Sequence, residues 1–123
     1  MRAIAMTGAA FLSLASPIQA AGLPAAYTVE QADLGARSFN QYCGACHDER
    51  LIGRFQTYPT AQKFYGFISD AMPRNEPGQL SSARYLALIA WFMQKSGFPA
   101  GDTMLTNDPA ILSSIVPGDA AAD

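Results

Sequence analysis

With 123 residues and a formal net charge of −2, the chain has room for one domain and is too acidic to read as a nucleic-acid binder. It holds two cysteines and one histidine, so any metal or redox chemistry has to come from very few side chains. No repeat and no strand alternation runs through it. What apolar periodicity there is has a helical period, which predicts an all-α fold.

Residues 1–21 have the form of a secretory signal peptide. Arg2 supplies the positive start, Ala3 to Ala15 is apolar apart from Thr7, Gly8 and Ser13, and Pro17 to Ala21 is a small-residue exit. Cleavage is expected after Ala20 or Ala21. The apolar run falls short of the ~20 residues that a spanning helix needs, which argues against an uncleaved anchor. No cysteine follows it to carry a lipid. Loss of Arg2 with this leader makes the remainder one charge more acidic. Residues 22–27 form a short lead.

Thr28-Val29-Glu30-Gln31 reads as a capping box, with Thr28 at the N-cap and Gln31 three residues on. The helix it opens is predicted to run to about Tyr42, with Gly35 and Phe39 four apart on one face. A glycine inside a helix lowers its propensity, so Gly35 suggests a close approach by another element.

Cys43-Gly44-Ala45-Cys46-His47 follows. This is C-x-x-C-H, the pattern for covalent attachment of a c-type haem. Two thiols at this spacing can bond the two vinyl groups on one edge of a porphyrin, and the next imidazole can lie under the iron. Gly44 and Ala45 are small enough to let the backbone lie close to the ring. Three other readings exist. A disulfide between Cys43 and Cys46 would close too small a loop to contribute much. A thioredoxin-like dithiol requires a βαβ setting that the sequence lacks. Structural zinc takes four ligands, and the nitrogen and sulfur donors here number three. Without its leader the chain has roughly 100 residues, few for a self-sufficient core, and a covalent haem would add a large apolar surface to fold around.

Asp48 to Pro59 shows no clear period and is predicted to be a loop with Leu51, Ile52 and Phe55 turned inward. Thr60 is placed to cap a second helix with Phe64, Phe67 and Ile68 at i, i+3 and i+4. Met72-Pro73 and a turn-rich run to Gly78 come next. Pro73 disfavours helical geometry at Met72, so this methionine sits on an extended segment from which its sulfur can point inward. Ser81 is the N-cap of the last main helix, with Leu80 stapled onto Tyr85. Gly97 ends that helix at C′, with Lys95 near the negative end of its dipole. Beyond it, Pro109 to Ile115 is expected to make one helical turn, and the last six residues to be disordered.

Together these pieces resemble a class I, mitochondrial-type cytochrome c over about Thr28 to Gly97. The resemblance rests on C-x-x-C-H, on Met72-Pro73, and on Pro77-Gly78-Gln79-Leu80-Ser81. It rests also on the spacing of Gly35 and Phe39 against Leu88 and Trp91 on the last helix. It implies a small cytochrome c fold: three main helices plus loops wrapped around one covalent haem c. The domain would cover residues 28–98, with 99–123 as a partly disordered extension. The resemblance further implies thioether bonds from Cys43 and Cys46 and axial ligation by His47 and Met72, which leaves no open position on iron and favours electron transfer over catalysis. Pro59 is a candidate to hold His47 through its carbonyl, and Arg54, Tyr58 and Arg74 are candidate partners for the haem propionates.

The loop run through Gly97-Phe98-Pro99-Ala100-Gly101 is similar to small cytochrome domains of bacterial quinoprotein alcohol dehydrogenases. That similarity implies a periplasmic electron-transfer protein, not an enzyme. Its donor would be a periplasmic dehydrogenase of the PQQ-dependent alcohol dehydrogenase kind. Its acceptor would be a cytochrome or terminal oxidase of a respiratory chain. Association with the inner membrane would come through a partner. Arg50, Arg54, Lys63, Arg74 and Arg84 are available to rim a haem edge, although Asp48, Glu49, Asp70 and Glu76 dilute them. The competing class is a gas sensor or small haem enzyme with an open sixth position. It would be favoured if Met72 did not bind iron, with Met93 and Met104 as substitute ligands.

Overall fold

The first helix begins at the cap its sequence names. In the computed structural model, which describes residues 3, 5, 8–13 and 22–121, Thr28 is extended and its hydroxyl accepts the Gln31 N–H at 3.2 Å. Helix α1 runs Val29–Tyr42. The second half of the capping box does not form. The Gln31 side chain turns the other way, donating to the Leu105 carbonyl at 2.9 Å and accepting the Leu105 N–H at 2.8 Å. A buried amide satisfied by one backbone unit is worth more there than a solvated return to the cap.

Where sequence predicted a loop, a helix forms: α2, Arg50–Gln56. Asp48 opens it, its carboxylate accepting the Arg50 N–H at 3.0 Å. Phe55 is fully buried, and Leu51 and Ile52 are half-buried beside it. Helix α3, Ala61–Ala71, starts at Thr60, whose hydroxyl takes the Lys63 N–H. It stops at Met72, which is extended as the following proline requires. Helix α4, Ser82–Ser96, is capped by Ser81 and ended by Gly97 at φ +104°, a left-handed geometry that glycine adopts without strain.

Helices α1 and α4 make the closest crossing. A Cβ at Gly35 would overlap the Ala87 carbonyl and come within 2.8 Å of the Trp91 Cβ. One turn on, Phe39 stacks on Trp91 with centroids 4.5 Å apart. The glycine thus meets Ala87 and Trp91; Leu88, one position along, faces a cavity instead. Phe92 sits in the middle of the core, with the rings of Phe39, Phe55, Phe64 and Trp91 all within 6.2 Å of its own.

The segment after α4 belongs to this same core. The Tyr27 hydroxyl donates to the Phe98 carbonyl at 2.6 Å, and Gly101 N–H to the Tyr27 carbonyl at 2.7 Å. A short helix α5, Pro109–Ser114, is capped by the Asp108 carboxylate. It packs on α3, and Ala61 N–H donates to the Ile115 carbonyl at 2.9 Å. A 3₁₀ turn, Pro117–Asp119, then lies against α2. Leu105, Leu112, Ile115 and Pro117 are buried. Within the described residues, therefore, the run expected to be a tail is ordered through Ala121 and packed against the helices before it. The reason is apolar content: α5 covers part of α3 and the 3₁₀ turn part of α2, while the Leu105 backbone is held by Gln31 of α1. Residues 122 and 123 lie outside the described residues.

Five α-helices and no strand are found among the described residues, so the all-α expectation holds; α5 falls where a helical turn was expected, at Pro109 to Ile115, and α2 is the helix added. The proposed leader falls mostly outside the described residues. Its described stretch, residues 8–13, is exposed and has no regular structure. No described helix is long and apolar enough to cross a membrane.

Candidate functional site

The C-x-x-C-H segment continues the turn of α1. Cys43 N–H and Gly44 N–H both donate to the Phe39 carbonyl at 2.8 Å. The Cys43 carbonyl then accepts Cys46 N–H at 3.1 Å and His47 N–H at 2.8 Å. These bonds fold the motif into a tight turn. Cys43 is half-buried, Cys46 and His47 are exposed, and both thiols are free.

All three side chains face a cavity of about 1040 Å³, at the upper end of the ~300–1,000 Å³ typical of small-molecule sites. Its other walls come from every main helix: Tyr42 from α1, Leu51 from α2, Phe64, Phe67 and Ile68 from α3, Leu88 and Phe92 from α4. Met72 and Pro73 complete it on the loop side. Phe67 is 47 % exposed, an aromatic side chain on the cavity wall with the Tyr58 ring 6.5 Å away. Among the described methionines, Met72 lines this space; Met93 is fully buried in α4 away from it, and Met104 is an exposed surface residue.

Met72 is held by its backbone. Its N–H donates to the Ile68 carbonyl at 3.1 Å, and its own carbonyl accepts Gly78 N–H at 3.3 Å and the Tyr85 hydroxyl at 2.6 Å. The same Tyr85 oxygen accepts Leu80 N–H at 3.4 Å. Tyr85 was noted in the sequence only as the target of a Leu80 staple; no periodicity marks its hydroxyl as a tether.

Arg54, Tyr58 and Arg74 all line the cavity. Among the described residues neither Arg54 nor Arg74 forms an ion pair, so two guanidinium groups border an apolar space with no carboxylate bound to them. The remaining candidate edge charges are otherwise engaged or elsewhere. Arg50 pairs with Asp48 at 2.9 Å, holding that carboxyl below its usual range through the hydrogen bond from the Arg50 side chain. Arg84 donates to Ser38 and lies over the Tyr42 ring. Lys63 does not line the cavity. Pro59 is exposed and outside the cavity wall, and the His47 imidazole makes no hydrogen bond among the described residues. Pro59 therefore gains no support as its holder.

Two of the rival readings of the motif find little here. No group of three or more His, Cys, Asp or Glu side chains close enough to hold a metal ion exists among the described residues. Burial pushes the Cys43 thiol up, and the neighbouring Cys46 pushes it further in the same direction. A redox C-x-x-C instead depends on a lowered thiol. Comparison with family models, with curated proteins and with solved structures finds no match for this chain.

Proposed function

We propose that this chain is a single-haem c-type electron carrier with a small cytochrome c fold. One observation carries the reading: the Met72 thioether, 25 residues beyond His47 in sequence, lines the same largely apolar cavity as the two thiols and the imidazole of the C-x-x-C-H turn. The donor set suits a c-type haem, which takes two thiols for its covalent attachment and can take a histidine and a methionine on its iron. Cys43 and Cys46 would hold it covalently, and His47 and Met72 would ligate its iron. Arg54 and Arg74 offer charge-assisted hydrogen bonds to its two carboxylates. The group supplies a one-electron ferric/ferrous couple when bound.

The chain's own residues do the rest. Phe64, Ile68, Leu88 and Phe92 exclude water from one side of the cavity, which favours the less charged reduced state. With His47 and Met72 as its iron ligands, the haem would have a higher potential than with two histidines. Cys46 and His47 are exposed, so the motif edge is the natural place for an electron to enter and leave. The donor proposed is a periplasmic dehydrogenase, of the PQQ-dependent alcohol dehydrogenase kind, and the acceptor a cytochrome or terminal oxidase.

The test is an optical spectrum of protein matured with haem-attachment machinery, set beside Met72→Ala. Wild type should be low-spin with the weak red sulfur-to-iron band and should not bind carbon monoxide when reduced. The variant should lose the band and bind carbon monoxide. A wild type that binds carbon monoxide readily would point to sensing or catalysis instead.

A further inference from the structure

The nine residues from Met72 to Leu80 form a loop whose two ends meet at one atom. The Tyr85 hydroxyl donates to the Met72 carbonyl at 2.6 Å and accepts the Leu80 N–H at 3.4 Å. Tyr85 is 3 % exposed, sits in the first turn of α4 and belongs to the buried core cluster. Within the loop the chain closes on itself only through backbone contacts: Glu76 N–H to the Pro73 carbonyl at 3.0 Å, Gln79 N–H to Glu76 at 3.3 Å, and Gly78 N–H to Met72 at 3.3 Å. Residues 74–79 are exposed. Leu80 packs in the core and Pro73 is buried; the phenol is the one side chain, among the described residues, that hydrogen-bonds this loop to α4.

We infer that Tyr85 is a positioning residue: its hydroxyl ties the Met72 loop to α4 and so keeps the Met72 thioether presented to the cavity against competing ligands. The inference rests on the proposed role of Met72 as an iron ligand. Removing the hydroxyl leaves the ring and its packing in place, but it frees one side of the Met72 carbonyl and leaves a buried Leu80 N–H without a partner. Both losses favour loop conformations in which the thioether turns away. Nothing at the thiols or at His47 is touched.

The experiment titrates haem-loaded ferric wild type, Tyr85→Phe and Met72→Ala with imidazole as the competing sixth ligand, and follows the red sulfur-to-iron band. Tyr85→Phe should keep the band without imidazole and raise the apparent imidazole affinity about thirtyfold, the effect of two lost hydrogen bonds of ordinary strength. Hydrogen exchange gives a second readout that needs no added ligand: the Leu80 amide should be protected in wild type and exchange faster in Tyr85→Phe. An unchanged imidazole affinity, with the band intact in both proteins, would overturn the inference and leave Met72 as ligand. So would a fall in melting temperature with neither affinity nor Leu80 exchange altered, because that is the signature of packing alone. If Met72→Ala instead has the spectrum of wild type, the ligand assignment itself fails and takes the inference with it, a result visible without the tyrosine variant.

Discussion

Two residues show how local chemistry decides stability here. At Gly35, alanine would gain up to about 1 kcal/mol of helix propensity, but its methyl would overlap the Ala87 carbonyl on the facing helix. Overpacking of that kind costs about 3 kcal/mol, so the clash wins. Gly35→Ala should be destabilised by a net ~2 kcal/mol in a urea titration. At Tyr27, burial raises the phenol above its ordinary value, while its proton is donated to the Phe98 carbonyl. The folded state therefore holds this proton more tightly than the unfolded chain does. The contribution is complete below about pH 10 and is lost as pH rises through the raised folded value. Tyr27→Phe should cost about 1 kcal/mol at neutral pH and should flatten the alkaline limb of a stability–pH profile relative to wild type.

At the scale of elements, the C-terminal segment carries weight out of proportion to its length. Leu112 and Ile115 are fully buried against α3, and burying each stabilises by about 2 kcal/mol. A chain ending at Asn107 should therefore lose about 4 kcal/mol in chemical denaturation, and the loss should appear first in the hydrogen exchange of α2 and α3 rather than of α1. Sequence reasoning reached α1, α3 and α4 because each has a side-chain cap and, in the last case, a C′ glycine, signals that act within a few residues. It reached the C-x-x-C-H turn and Met72 for the same reason: spacing in one case, a following proline in the other. It missed α2, although Leu51, Ile52 and Phe55 have helical spacing, because the element is only two turns long and its cap, Asp48, lies one residue early. It could not reach the Gln31–Leu105 clamp or the Tyr85 tether. Both join positions whose proximity is set by tertiary packing, and a lone Gln or Tyr carries no sign of its distant partner.

At the scale of the molecule, a cavity of about 1040 Å³ is walled by all four main helices and the Met72 loop, so these elements are not packed directly on one another there. Domains of roughly 100 residues have little stability in reserve. A Cys43→Ala/Cys46→Ala double variant made without haem should show reduced helical circular dichroism and a broad, weakly cooperative melt. The haem-loaded wild type should melt sharply and at higher temperature, as binding to the folded state alone requires.

The ties from Tyr27 to Phe98 and from Gln31 to Leu105 span more than seventy positions. A ribosome delivers the chain from its N-terminal end, so the cysteine pair emerges while the residues that will wall the cavity opposite it have yet to be made. Until the last stretch arrives, α1 has no α4 to cross and Gln31 no backbone to clamp. There is accordingly an interval in the life of each molecule when both thiols stand on an unclosed chain, open to whatever modifies them, and it ends when the final segment docks and shuts the fold behind them.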